Sequence, residues 1–223
     1  MTFGEIREFD FYPFYVRIGG GRVPIPLSGV ATLIMSGRID ATPYPYTMLD
    51  ALPREYVRLP YGLSLGPGAM DLVLVSSKPP PEIRTLGVVK GYEFVLHLLE
   101  GVLKDRYGLS LRSIGISTFS DVLPGTDAFL IYGDTALRGD YGSYRYSYNL
   151  CEAYHEWRGK PLNVAVWIAR RGIEEEAERH IGNSIAHWML RREELVLEYA
   201  RKRRIPEDVL LTHAKALLFK VEE

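Results

Sequence analysis

The sequence of 223 residues has little of several residue types: it contains one cysteine, Cys151, no glutamine and only three asparagines. A single cysteine excludes an internal disulfide framework and a zinc site made of cysteines. Few amides beside many charged residues, here 25%, are typical of proteins from thermophiles. No apolar run approaches the ~18 residues of a membrane-spanning helix, and no apolar signal segment follows the polar N-terminus. We therefore expect a cytoplasmic protein with no membrane partner.

The charges of the chain nearly cancel, since 27 Lys and Arg residues stand against 28 Asp and Glu residues. The chain therefore lacks the net positive charge that would attract nucleic acid electrostatically. Its only strongly basic run is Arg201–Arg204. It contains no Walker loop, no dinucleotide-binding glycine motif, no His-Glu-x-x-His and no Gly-x-Ser-x-Gly. These absences exclude most nucleotide-dependent enzymes, zinc proteases and serine hydrolases, and we expect no nucleic-acid partner.

The histidines are dispersed and do not form a metal-binding motif. They are His97, His155, His180, His187 and His213. Only His180 and His187, seven residues apart, fall on one face of a predicted helix. We interpret all five as surface or core residues and expect no metal site.

Apolar segments of strand length alternate with a segment of helical period. The predicted strands are residues 9–18, 72–75, 85–89, 126–134 and 162–169. Residues 94–107 have the period of an amphipathic helix, and the chain reads as helical from residue 173 onward. This alternation predicts an α/β fold with mixed, mostly parallel sheets flanked by helices. The prolines at 79–81 predict a stiff linker, which we interpret as a boundary between two lobes.

Two predicted strand ends carry polar residues. Lys90, Gly91 and Tyr92 stand where a strand ends and a helix begins, so that free amides, the helix dipole and the lysine together could bind an anion. A solvated turn is the alternative. Asp134 has the same placement after the next strand, where capping of the following helix would by itself explain it. The aromatic residues between 146 and 157 could stack on bases, but packing between lobes is the better interpretation for a near-neutral chain.

Two long stretches of the sequence resemble a known family. Residues 126–138 read TDAFLIYGDTALR, and residues 146–171 read YSYNLCEAYHEWRGKPLNVAVWIARR. They are similar to the D-A-x-L-x-I-G-D-x-A-L and Y-D-L-x-E-x-W-x-x-W-T-G-L-P-x-V-x-A-V-W blocks of the menaquinone-biosynthesis family of the futalosine pathway. That family contains chorismate dehydratase and 1,4-dihydroxy-6-naphthoate synthase. Weaker matches, at Pro13-Phe14 and at residues 37–43, 59–65 and 102–108, extend the resemblance over about residues 7–171.

The resemblance implies the two-lobed fold of type II periplasmic solute-binding proteins, with the ligand between the lobes. Residues 1–82 and 172–223 would form lobe 1, and residues 83–171 would form lobe 2. The two chain crossings would lie near Pro79–Pro81 and near Ala169-Arg170, and the helical tail would return to lobe 1.

The resemblance also implies a set of site residues. Asp10 occupies the position of a catalytic asparagine of the dehydratase, and Ser64 is what remains of a serine-rich turn that contacts substrate. Asp10 would act as the base and Ser64 as the donor to the leaving group. Lys90, with the amides of Gly91 and Tyr92, would hold a carboxylate. Thr42 and Asp134 are predicted as further substrate contacts.

The function implied by the resemblance is that of a carbon–oxygen lyase that dehydrates chorismate, without metal or organic cofactor. Three pocket segments depart from the family pattern, so two alternatives stay open. One is a non-catalytic cytoplasmic protein that binds a small carboxylated or aromatic metabolite on the same scaffold. The other is the sister synthase, which is expected to use a histidine base. The expected partner is a small anionic aromatic or cyclohexadiene carboxylate, and the chain is expected to be a monomer or homodimer.

Overall fold

The computed structural model describes residues 1–90, 92–109, 112–117 and 125–221. Gly91, the predicted amide donor, lies outside the described residues. The strands are β1 (Thr2–Glu5), β2 (Gly21–Pro24), β3 (Ala41–Pro45), β4 (Tyr56–Leu65), β5 (Leu72–Ser76), β6 (Thr85–Val89), β7 (Arg112–Ile116), β8 (Ala128–Tyr132), β9 (Tyr146–Asn149), β10 (Leu162–Arg170) and β11 (Leu217–Leu218). The helices are α1 (Tyr12–Tyr15), α2 (Val30–Met35), α3 (Glu93–Asp105), α4 (Asp134–Arg138), α5 (Leu150–Arg158), α6 (Glu174–Arg203) and α7 (Glu207–Lys215). None of these helices has the length and apolarity needed to span a bilayer.

The described strands form two sheets. The first has six strands in the order β11-β4-β10-β3-β1-β2, and the second has five in the order β7-β6-β8-β5-β9. The sheets are mixed, as predicted, but they are not mostly parallel. Parallel pairing is confined to β1 with β2 and β3, and to β6 with β7 and β8. The other pairings are antiparallel, because β4, β5, β9, β10 and β11 run against their neighbours.

The sheets divide the chain at other points than the predicted boundaries at residues 82–83 and 171–172. β5 belongs to the second sheet, and β10 is a central strand of the first. The chain therefore crosses between β4 and β5 and returns between β9 and β10. The prolines at 79–81 belong to a connection within the second sheet, where Pro80–Glu82 forms a 3-10 turn. Fixed φ angles suit such a turn as well as they suit a linker between lobes.

Residues 9–18, predicted to be a strand, form helical turns. Phe9–Phe11 is a 3-10 turn that leads into α1, where Pro13 lies in the first turn and its fixed φ suits a helix. Phe9, Phe11 and Phe14 are all fully buried, so the side chains do not alternate between core and solvent as they would in a strand.

Helix α6 packs over this turn and contributes Trp188 to the aromatic cluster around Phe9. Trp188 is fully buried and packs edge-on against Phe9, with 5.8 Å between ring centroids. The helix has a kink at Arg191, whose φ of −124° and ψ of 23° lie outside the helical region. The helical tail thus packs on the first sheet, and β11 adds an edge strand beside β4.

Candidate active site between the two sheets

A cavity of about 400 Å³ lies between the two sheets. Residues that follow β1 form one wall, among them Arg7 and Glu8, and residues at the ends of β6 and β8 form the other, namely Val89, Lys90, Tyr92 and Tyr132. The ends of β1, β6 and β8 that meet here are carboxyl ends, where open α/β sheets commonly bind their ligands. A second cavity of about 480 Å³ adjoins the first and shares Ile6, Arg7 and Glu8 with it.

Among the described residues, Glu8 is the carboxylate that lines the first cavity. Its Oε1 accepts a hydrogen bond of 2.6 Å from the hydroxyl of Tyr92, and its Oε2 accepts one of 3.0 Å from the backbone N–H of Asp134. Burial, and then the charge of Asp134, raise the pKa of Glu8 above its ordinary value. A carboxyl group with a raised pKa beside a cavity is a stronger base when ionised and is suited to proton transfer.

The backbone at Gly133 makes room for Glu8. Gly133 has a φ of 70°, in the left-handed region that favours glycine, and a Cβ at this position would collide with the Glu8 carboxylate. A side chain at position 133 would therefore displace the Glu8 carboxylate from its place beside the end of β8.

Asp134, predicted as a substrate contact, does not line the cavity but supports its wall. The side chain is almost fully buried, and its oxygens accept hydrogen bonds from the backbone N–H of Phe9 (3.0 Å) and the hydroxyl of Tyr199 (2.9 Å). The guanidinium of Arg203 lies 3.7 Å away. Burial raises the pKa of Asp134 in spite of these donors. Asp134 thus holds the turn that carries Glu8, through its side chain and its backbone N–H.

Asp10, predicted as the catalytic base, is fully buried and lines neither cavity. Its Oδ1 lies 2.7 Å from Nε2 of His213, and its Oδ2 accepts a hydrogen bond of 3.0 Å from the hydroxyl of Tyr132. Burial alone would raise the pKa of Asp10, but its interactions with His213 and then the hydrogen bond from Tyr132 lower it below its ordinary value. Both oxygens are therefore committed to internal partners.

Asp10, Asp71 and His213 together have the composition of a metal site, since their candidate ligand atoms lie within 4.8 Å of one another. The hydrogen bonds argue against that use. The backbone N–H of Met70 donates to Nδ1 of His213 (3.0 Å), so the ring proton is on Nε2 and points to Asp10. The imidazole has no lone pair left for an ion. Burial, and then the charge of Asp10, raise the pKa of Asp71 well above its ordinary value, which disfavours the ionised form that a metal ion would need.

Ser64 and Thr42 lie away from the cavity, inside the first sheet. Both are fully buried. The Ser64 hydroxyl lies 2.7 Å from Oδ1 of Asn163 and 2.8 Å from the backbone oxygen of Lys220. The Thr42 hydroxyl donates to the backbone oxygen of Pro43 at 3.2 Å. Ser64 thus joins β4 to β10 and the C-terminal segment, and it is not among the residues that line the cavity with Glu8 or the adjoining one.

Of the predicted site residues, the structure brings Lys90 and Tyr92 together at the cavity. Sequence reasoning missed Glu8 and Arg7. A signal for them existed, since both are charged residues directly after the short strand that ends at Glu5, but the prediction of a strand over residues 9–18 concealed that strand end.

Comparisons with known proteins agree with this architecture. The sequence profile of a family described as menaquinone biosynthesis matches residues 1–223, the whole chain. The chain belongs to the menaquinone-biosynthesis family. The resemblance noted in the sequence is thereby confirmed. No curated protein is significantly similar in sequence.

Solved structures place this family member in a wider fold group. It is similar to protein AF1704 from Archaeoglobus fulgidus, with a TM-score of 0.71, 18% identity and coverage of 96% of this chain and 86% of that one. The Candida albicans CA3427 gene product, described as having the generic periplasmic binding protein fold, matches with a TM-score of 0.66 and 12% identity. The match covers 98% of this chain and 81% of that one. The alkanesulfonate-binding protein SsuA from Xanthomonas axonopodis pv. citri, bound to MOPS, matches with a TM-score of 0.66 and 12% identity. The match covers 100% of this chain and 86% of that one. The predicted periplasmic-binding-protein-like fold is confirmed.

Proposed function

We propose that this member of the menaquinone-biosynthesis family dehydrates chorismate to 3-[(1-carboxyvinyl)oxy]benzoate in the cavity between the sheets. Family membership supports a role in menaquinone biosynthesis. The observation that carries the finer proposal is Glu8, a half-buried carboxyl group with a raised pKa on the wall of a cavity that also contains Arg7 and Lys90. A base beside two cations suits a substrate that bears carboxylates and must lose a proton.

The reaction needs one proton to leave a ring carbon and one hydroxyl group to leave the neighbouring carbon. Glu8 accepts the proton, and the electron pair of the broken C–H bond completes the aromatic ring as the C–O bond breaks. The protonated Glu8 then gives its proton to the departing hydroxide, which leaves as water. All atoms and electrons of this step are accounted for by chorismate and Glu8. Glu8 thus takes both the role predicted for Asp10 and the role predicted for Ser64.

The hydrogen bonds to Glu8 fit this role. The Tyr92 hydroxyl and the Asp134 N–H fix the orientation of the carboxylate, so that its remaining lone pairs can face the cavity. Arg7 and Lys90 offset the negative charge that a substrate with two carboxylates brings close to Glu8. The approach of that substrate raises the pKa of Glu8 further and makes it a stronger base.

The direct test is incubation of the purified protein with chorismate in a chelator-treated buffer, followed by chromatography. We expect chorismate to disappear and the aromatic enol ether to accumulate faster than in a buffer blank. Chorismate should also raise the melting temperature, because a ligand at a hundredfold excess over its Kd stabilises the folded state by about 2.7 kcal/mol.

A non-catalytic binding protein is the second candidate, because the structural relative SsuA is named as an alkanesulfonate-binding protein. Stabilisation by chorismate with no turnover would favour that function over the dehydratase. The sister synthase is less well supported, since no histidine is among the described residues that line the cavity with Glu8 or the adjoining one.

Lys90→Ala should weaken the binding of chorismate about tenfold to a hundredfold, because a hydrogen bond to a charged group contributes roughly 1.5–3 kcal/mol. Isothermal titration with the inactive Glu8→Gln protein as background would measure the affinity without turnover. Lys104→Ala is the matched control, since Lys104 is an exposed lysine near the end of α3 and does not line the cavity. Equal affinities of the two lysine variants would contradict a role for Lys90.

A further inference from the structure

A groove of about 530 Å³ lies on the first sheet, between α6 and the edge strand β11. Ile185 and Met189 of α6 form one wall, and Leu218 and Phe219 form the other. Two of these side chains are unusually open for apolar residues, with exposed fractions of 56% for Met189 and 38% for Leu218. The groove is separate from the cavity that contains Glu8, and the proposed function makes no use of it.

Three cations stand around this groove: Arg192, Lys215 and Lys220. No acidic residue is among the described residues that line it. Arg192 is only half exposed. Within the described ranges, none of the three side chains is paired with a carboxylate. The neighbouring Arg191, by contrast, forms an ion pair with Glu194. An anion bound in the groove would give these cations a partner of opposite charge.

We propose that this groove binds an amphiphilic anion, a small molecule whose aliphatic chain lies between Met189 and Leu218 and whose acidic group is held by Arg192 and Lys215. The volume is within the range of about 300–1,000 Å³ that small-molecule sites occupy. An apolar floor with positive charges at its edge complements an aliphatic chain with an anionic end. A neutral ligand would leave these charges without a partner.

A second copy of the chain is a poorer occupant. A twofold contact places the same patch against itself, so Arg192, Lys215 and Lys220 would face their own copies. Like charges brought together in this way oppose association.

The test is titration calorimetry with octanoate and 1-octanol as probes, which share a chain and differ in charge. Octanoate should bind at least about tenfold more tightly, since each charge-assisted hydrogen bond contributes a factor of that order. The double variant Arg192→Gln, Lys215→Gln should bring the affinity for octanoate down to that for octanol. Equal affinities of the unaltered protein for the two probes would overturn the proposal.

Met189→Asp places a carboxylate in the groove and should abolish octanoate binding, whereas Met35→Asp is the control. Met35 is an exposed methionine on α2, 74% accessible, and does not line the groove. Unchanged octanoate binding by Met189→Asp would contradict the site. Light scattering of the same proteins supplies the other decisive result: a dimer that Met189→Asp dissociates would make the groove a subunit interface and overturn the proposal. Turnover of chorismate should be the same in Met189→Asp and the unaltered protein.

Discussion

Replacement of Glu8 by glutamine should lower kcat for chorismate by about 10²- to 10⁴-fold, the usual contribution of a positioned general base. Glutamine keeps the size of the side chain and an oxygen that can accept from Tyr92 or Asp134, so the fold and the substrate affinity should change little. Single-turnover measurements with saturating chorismate separate the chemical step from binding. Loss of affinity at an unchanged rate would show that Glu8 binds the substrate and that the base is elsewhere.

Glu5→Gln is the matched control for this variant. Glu5 ends β1, three residues before Glu8, and its carboxylate borders the adjoining cavity, where it pairs with the exposed Arg22 at 3.1 Å. Since an exposed pair of this kind contributes little to stability, the Glu5→Gln protein should keep nearly full activity. A fall in rate as large as that of Glu8→Gln would mean that the general charge of this region, and not the base, limits the reaction.

The pH profile gives a second check of Glu8. Its pKa is raised in the folded protein and the base must be ionised, so kcat/KM should rise with pH through a pKa above the ordinary value for glutamate. Stability should change in the opposite direction. A carboxyl group with a raised folded pKa contributes stability below its unfolded pKa, and that contribution is lost as the pH rises through the folded pKa. Glu8→Gln should remove both dependences.

Asp10→Ala should reduce the free energy of unfolding by about 3–5 kcal/mol, the cost of removing one partner from a buried polar pair. It would leave the Nε2–H of His213 and the hydroxyl of Tyr132 without the acceptor that the fully buried Asp10 supplies. Urea denaturation would show a lower midpoint with an unchanged slope. Asp10→Asn should be milder because the amide keeps one acceptor, and Asp50→Ala, at an exposed aspartate, should be close to neutral.

The lowered pKa of Asp10 also predicts how the stability of the protein changes at acidic pH. Because its pKa is lowered in the folded protein, its contribution to stability is present above the unfolded pKa and is lost as the pH falls through the folded pKa. Acid unfolding of the unaltered protein should therefore be steeper than that of Asp10→Asn. Loss of turnover in Asp10→Asn with no loss of stability would contradict the buried, supporting position of this residue.

The strands best predicted from the sequence are those buried on both faces. Residues 85–89 form β6, and the predicted strands over 126–134 and 162–169 contain β8 and most of β10. Such strands are continuous apolar runs, which stand out in a sequence. The sheet to which each one belongs has no comparable local signal, since β5 and β10 have similar composition and lie in different sheets. The crossings were misplaced for this reason.

The site was harder to predict than the fold. Lys90 and Tyr92 were found because a strand end followed by a helix is a local pattern. Glu8 was missed because the aromatic residues after it resemble a strand, although Pro13 suits the first turn of a helix. Asp10 was assigned to the cleft by the resemblance alone. Its partner His213 lies 203 residues away in the sequence, and no local pattern connects the two.

The central position of β10 has a consequence for the synthesis of the chain. β10 pairs with both β3 and β4, so the first sheet lacks an inner strand until residue 170 has left the ribosome. The described strands of the second sheet all fall between residues 72 and 149 and are contiguous in the chain. We expect the second sheet to form first on the nascent polypeptide, while β3 has one unpaired edge and β4 has two. Such edges are prone to aggregation, and premature termination between β9 and β10 would leave them permanently open.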